Sequence, residues 1–209
     1  MGPSSPASPL DEFDAATVHE AYSRRGSLPS EIKPIASTFR VCGPAFTVDC
    51  PPGDNLWIHR AVYAARSGEV LVVQTRGEKE AGYWGEILSE AAVARQLGGL
   101  VTDGGVRDVA RLAEIGFPVF AANVCLRGTA KDPTADGRLG EPIVVGTTLV
   151  RPGDLVVGDH DGVVVVAAEA VGAVADAAQQ RVRKEQDVIA RLRNGETTLA
   201  IYELAEAER

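Results

Sequence analysis

Two short stretches carry the chemistry this sequence can do. The first is Gly82-Tyr83-Trp84-Gly85-Glu86-Ile87-Leu88, where two glycines bracket an aromatic pair at the entry to a helical pattern. The first N–H groups of a helix have no internal partner and carry the positive end of its dipole. A small carboxylate can rest there, and glycine lets it come close. The second stretch is Thr102-Asp103-Gly104-Gly105-Val106-Arg107-Asp108, which reads as a loop after an apolar strand and before a helix. In open α/β architectures, ligands collect outside the carboxyl ends of strands. Asp108 offers an oxygen ligand to a hard cation. Arg107 offers a planar fork to a carboxylate or an enolate oxygen. Each stretch also has a plainer reading: an ordinary helix start, and an Arg–Asp pair that merely fixes a loop. Spacing alone leaves both open.

The elements that must position these residues alternate along the middle of the chain. The pattern predicts a helix over 55–65, an apolar strand over 69–74, a helix over 84–97, a strand over 99–102, a helix over 106–115 and a strand over 118–121. Strand and helix at this spacing imply parallel pairing through crossover helices. Upstream, 14–25 reads as a short helix, and 40–42 and 45–48 as strands split by Gly43-Pro44. Downstream, 125–140 reads as a long polar loop. Strand runs at 141–145, 155–157 and 162–166, with turn residues at 151–154 and 159–162, imply an antiparallel layer. Residues 168–193 are helical, and from Gln179 the apolar stripe thins to Val182, Val188 and Leu192. Such a stripe suits a solvated arm, or one that docks on a neighbouring subunit. The expected fold class is therefore α/β. A single domain over 14–167 has a parallel βαβ core plus an antiparallel β layer. A flexible Pro- and Ser-rich tail spans 1–13, and a C-terminal helical extension spans 168–209, packing on the domain or on a neighbouring subunit.

Composition narrows the classes. A chain of 209 residues, 45% of them hydrophobic, can hold a core without disulfides and is too apolar to be disordered. Its net charge of -8 argues against nucleic acid and anionic membranes as partners. No apolar run approaches the ~20 residues a membrane helix needs, and the N-terminus lacks a secretory pattern. Cys42, Cys50 and Cys125 have no paired spacing and read as reduced thiols of a cytoplasmic protein. Other reactive residue types read as structural. Lys79 and His19 belong to the surface, His160 to a β-turn, Trp84 to packing, and His59, one turn after Asn55, to a structural hydrogen bond. Cys125 has no activating base nearby in sequence. Lys131 is a secondary candidate to face a substrate carboxylate.

Glu86, twenty intervening residues and then Arg107-Asp108 form a signature. Supporting blocks are the run at 43–48, Asn55 with His59, the run at 116–121 and the run at 152–166. Together these resemble the RraA-like family, which contains 4-hydroxy-4-methyl-2-oxoglutarate aldolase, 4-carboxy-4-hydroxy-2-oxoadipate aldolase and the regulator of ribonuclease activity A. The likeness runs from about residue 14 to residue 166. It implies a fold of the phosphohistidine-domain-like β/β/α type, assembled as a homotrimer or a hexamer, with sites at subunit boundaries. It also implies a metal-dependent lyase that releases pyruvate from a small 2-oxo acid and decarboxylates oxaloacetate. In the aldolase members the residue in the place of Asp108 holds Mg²⁺ or Mn²⁺. The residue in the place of Arg107 binds the pyruvate moiety, and backbone N–H groups in the places of Gly85, Glu86, Ile87 and Leu88 hold the carboxylate. Glu86 stands where the aldolases carry Asp, so the acid is kept at one methylene more reach for acid–base or water-orienting work. An acidic residue of a neighbouring subunit completes the aldolase site; no residue here is assigned to that place. The alternative is a non-catalytic regulator of ribonuclease activity that binds a protein partner. The acid at Glu86 favours catalysis. No Gly-rich fingerprint supports a methyltransferase.

Overall fold

A strand that hides consecutive side chains must be covered on both faces, and Val70, Leu71, Val72 and Val73 are all fully buried. They form the centre of the sheet. The structure, a computed structural model, describes residues 8–204. In chain order its elements are α1 (Ala15–Ala21), β1 (Lys33–Pro34), β2 (Val41–Asp49), α2 (Leu56–Ala64), β3 (Val70–Gln74), β4 (Gly82–Trp84), α3 (Glu86–Ala94), β5 (Gly99–Val106), α4 (Val109–Ile115) and β6 (Val119–Val124). There follow β7 (Arg138–Leu139), β8 (Ile143–Val145), β9 (Thr148–Val150), β10 (Leu155–Asp159), β11 (Gly162–Val166), a 3₁₀ turn (Ala168–Ala170), α5 (Val171–Arg193) and α6 (Thr198–Ile201). The main sheet runs β1-β6-β5-β3-β2-β10-β11, with β4 beside β5 and β7 beside β2. Strands β2, β3, β5 and β6 pair in parallel, while β10 and β11 pair antiparallel. The α/β class, with a parallel core and an antiparallel layer, is as expected.

Side chains alternate across a strand, and β10 and β11 use this to join two cores. Val156, Val163 and Val165 face the main core with β3 and β5. Leu155, Val157, Val164 and Val166 face a second one, closed by α1 and the first half of α5 through Val18, Val174 and Ala178. Leu10 and Phe13 also pack there. Residues 8–13 are thus part of the domain rather than of a tail, because two large apolar side chains find cover; residues 1–7 lie outside the described residues. The extension docks on the domain along its first half, where Arg181 meets Glu20 at 3.5 Å. Further on, Val188 is covered but Ile189 and Leu192 remain exposed. Residues 205–209 lie outside the described residues.

Three further expectations are corrected. Gly43-Pro44 does not split a strand: β2 runs through it, pairing with β10 up to Pro44 and with β3 from Ala45. Proline lacks a donor, and it sits where the strand changes partner. Residues 82–84 form strand β4 rather than a helix entry, since Tyr83 and Trp84 are both buried against β5; helix α3 starts at Glu86. Residues 102–106 continue β5 rather than forming a loop. A Cβ on Gly104 would meet Thr75 Cγ2 at 2.7 Å, and one on Gly105 would meet Ala81 O at 2.6 Å. These glycines serve close approach in a bulged strand, not a turn.

Candidate active site

Strands β4 and β5 end side by side, so two strand-to-helix junctions abut. Arg107 N–H donates to Trp84 O at 2.9 Å, and Glu86 N–H donates to Asp108 Oδ2 at 3.1 Å. Gly85 is required between them, because a Cβ there would lie 2.3 Å from Asp108 Oδ2. Asp108 caps α4 with φ +60°, a left-handed conformation that Asp tolerates better than most residues and that still costs about 1–3 kcal/mol. Arg107 Nε stands 3.8 Å from Asp108 Oδ2, and both side chains remain about half exposed. The strained turn therefore presents a guanidinium and a carboxylate to the same space.

That space is a cleft of about 240 Å³ lined by Gly85, Glu86, Ile87, Leu88, Arg107 and Asp108, together with Asn55, His59, Gly82, Tyr83, Trp84 and Lys131. All six residues singled out from the sequence line it. Ile87 and Leu88 supply helix-start N–H groups without partners one turn earlier, whereas the Glu86 N–H is taken by Asp108. The Glu86 carboxylate accepts from Arg111 Nε at 3.1 Å, and Arg111 also pairs with Glu114. Arg111 escaped the sequence reading, although it lies one turn beyond Asp108.

Three further cleft residues come from distant segments. Asn55 is 6% exposed; its Nδ2 donates to Tyr83 O at 2.8 Å, while its Oδ1 is buried without a donor. A buried acceptor left so costs about 1–3 kcal/mol and calls for a donor. Lys131, the secondary candidate, does line the cleft. His59 is corrected: among the described residues its imidazole makes no hydrogen bond, and it faces the cleft. Burial, then the charge of Lys131, lowers its pKa from 6.5, against the pull of Asp54. The unfolded chain therefore binds more protons than the folded chain just below pH 6.5, and stability falls as pH drops through that window. The expected result is a larger loss of urea midpoint between pH 7 and pH 5 for the wild-type chain than for His59→Gln; equal losses would contradict it.

The remaining candidates sit as read. Lys79 pairs with Glu31 at 2.8 Å on the surface, and exposed His160 occupies the β10–β11 turn. Trp84 stacks on Phe117 with centroids 5.8 Å apart. Among the described residues no three His, Cys, Asp or Glu side chains cluster as a cation cage. Asp108 alone offers a carboxylate oxygen here, a donor set that would fit Mg²⁺ or Mn²⁺, ions that keep waters and bind through one or two carboxylates plus substrate oxygens. The cradle that Gly85 leaves around its Oδ2 is consistent with that donor.

Several known proteins resemble this chain. A protein of Halalkalibacterium halodurans, named provisionally a 4-hydroxy-4-methyl-2-oxoglutarate aldolase, is 35% identical over 149 residues, 71% of this chain and 70% of that protein. The solved structure of an uncharacterized protein from Pseudomonas syringae pv. tomato has a TM-score of 0.77 at 26% identity, covering 90% of this chain and 88% of that one. RraAS2 of Streptomyces coelicolor, described as an unusual member of the RNase ES inhibitor RraA family, has a TM-score of 0.75 at 27% identity, covering 88% of this chain and 96% of that one. No described helix is long and apolar enough to cross a membrane. The RraA-like (aldolase/RraA) family model matches residues 15–165, and the chain belongs to that family.

Proposed function

We propose that this chain is a divalent-metal-dependent aldolase that releases pyruvate from 4-hydroxy-4-methyl-2-oxoglutarate-like or 4-carboxy-4-hydroxy-2-oxoadipate-like acids and decarboxylates oxaloacetate. The observation that carries this reading is the junction itself: Arg107, Asp108 and the start of α3 face one cleft from a single pair of turns. The N–H groups of Ile87 and Leu88 hold the 1-carboxylate. Arg107 binds the keto oxygen and faces the negative charge that grows there as the C–C bond breaks. Asp108 would hold Mg²⁺ or Mn²⁺, with water and substrate oxygens filling its shell. When bound, such an ion polarises the keto group and stabilises the enolate. Glu86, steadied by Arg111, orients the water that returns a proton to the methylene carbon. Lys131 meets the far carboxylate of the diacid. We further propose a cytoplasmic homotrimer or hexamer, without nucleic-acid or membrane partners; Ile87, Val124 and Leu126, all well exposed, would be covered by neighbouring copies.

The test is pyruvate release from oxaloacetate and from 4-hydroxy-4-methyl-2-oxoglutarate, followed with a lactate dehydrogenase couple. EDTA is expected to stop turnover, and Mg²⁺ or Mn²⁺ to restore it. Equal turnover by metal-stripped protein would contradict the mechanism. The second reading, a non-catalytic regulator of ribonuclease activity, draws on the likeness to RraAS2. It requires no turnover of any 2-oxo acid and inhibition of a ribonuclease by the added protein.

A further inference from the structure

The polar loop between β6 and β7 is fastened to the start of α2 around one residue. Ala130 N–H donates to Gly53 O at 2.8 Å, and Asn55 N–H donates to Ala130 O at 3.1 Å. Two residues on, Asp132 N–H donates to Asp54 Oδ2 at 2.5 Å. Lys131 lies between these fastened positions and lines the cleft. The other oxygen of the same carboxylate, Oδ1, accepts Leu56 N–H at 2.8 Å. Asp54 is only 4% exposed, so its two oxygens each satisfy one amide, one from the loop and one from the helix. The same segment grips the opposite wall, where Gly53 N–H donates to Tyr83 Oη at 2.7 Å and Asn55 Nδ2 donates to Tyr83 O. A carboxamide has one acceptor oxygen where a carboxylate has two. Asn at this position can hold the helix amide or the loop amide, but not both.

We propose that Asp54 is a positioning residue, whose buried carboxylate holds Lys131 over the cleft to meet the far carboxylate of a 2-oxo diacid. This rests on the 2-oxo acid reading above. Asp54 itself touches no substrate. Freeing the loop weakens binding rather than the chemical step, because bond cleavage takes place beside Arg107 and Asp108.

The test uses the full chain with Mg²⁺ and 4-hydroxy-4-methyl-2-oxoglutarate, whose far carboxylate survives bond cleavage whereas that of oxaloacetate is lost as CO₂, comparing Asp54→Asn, Lys131→Met and the double variant. Each single change is expected to raise KM about tenfold with kcat held within about twofold, the size expected for loss of a charge-assisted contact. The double variant is expected to match Lys131→Met, since residues acting through one another are not additive. Multiplying effects, or an unchanged KM in Asp54→Asn, would overturn the proposal. Amide hydrogen exchange gives a readout independent of turnover. Asp54→Asn is expected to speed exchange at Asp132 while β3 and β5 amides keep their wild-type rates; unchanged exchange at Asp132 overturns the proposal. Absence of turnover in the wild-type chain overturns the functional reading and, with it, the substrate role of Lys131. Unchanged exchange at Asp132 in Asp54→Asn, with an active wild-type chain, overturns the positioning claim alone.

Discussion

Asp108→Ala is expected to abolish metal-dependent pyruvate release, by at least about a thousandfold, the loss of the group proposed to hold the ion that stabilises the enolate. The side chain is half exposed on the cleft and its Oδ2 already accepts the Glu86 N–H. Alanine therefore removes the proposed cation ligand and the tie between the two junctions together. It also tolerates φ +60° poorly, so a loss of activity in this variant alone could reflect a collapsed turn. Asp108→Asn separates the causes. Asparagine accepts the left-handed conformation and keeps one acceptor for the Glu86 amide, but brings no charge. The expected outcome is a thermal midpoint near wild type for Asp108→Asn with turnover as low as in Asp108→Ala. Near-normal turnover in Asp108→Asn would show that the carboxylate charge is not used.

Arg107→Ala comes next in size. Removing one donor aimed at a developing oxyanion typically costs about 3 kcal/mol, or roughly a hundredfold to a thousandfold in rate. Arg107 is held by its backbone: its N–H donates to Trp84 O at 2.9 Å, and the side chain is about half exposed. Truncation beyond Cβ should leave the turn intact, so the loss is expected in kcat with little change in stability. Arg107→Lys is expected to recover only a small part of it, since a point charge cannot reproduce a planar fork. Exogenous guanidinium is expected to restore some activity to Arg107→Ala. An Arg107→Ala chain with wild-type kcat would remove Arg107 from the chemistry.

Much of the site is legible in the sequence because its parts are neighbours along the chain. Gly85 to Leu88 form one helix start, and Arg107 and Asp108 are adjacent, so a local reading finds both groups. The parallel core is legible for a similar reason: the short β-branched apolar run over 70–73, preceded by Gly68, reads as a strand covered on both faces. Glycine is where local reading fails. Gly104 and Gly105 look like a turn, yet they are extended residues chosen for the absence of a side chain against Thr75, Tyr83 and Ala81. Tyr83 and Trp84 form too short a strand for any periodicity to distinguish from a helix's first turn. Asn55, His59 and Lys131 reach the cleft from two segments far from the Gly85 and Arg107 junctions, and long-range ties, of Gly53 and Asn55 to Tyr83 and of Asp54 to Ala130, bring them there. Leu10 and Phe13 look like tail because the second core that covers them is built from α1, β10, β11 and α5, elements spread across the chain.

The most direct test is a crystal structure of the chain grown with Mn²⁺ and oxalate, a stable mimic of the pyruvate enolate. Anomalous density for the metal is predicted at the Asp108 carboxylate, with oxalate bridging it to the Arg107 guanidinium and the N–H groups of Ile87 and Leu88. Metal bound elsewhere, or oxalate seated away from Arg107, would contradict the assignment.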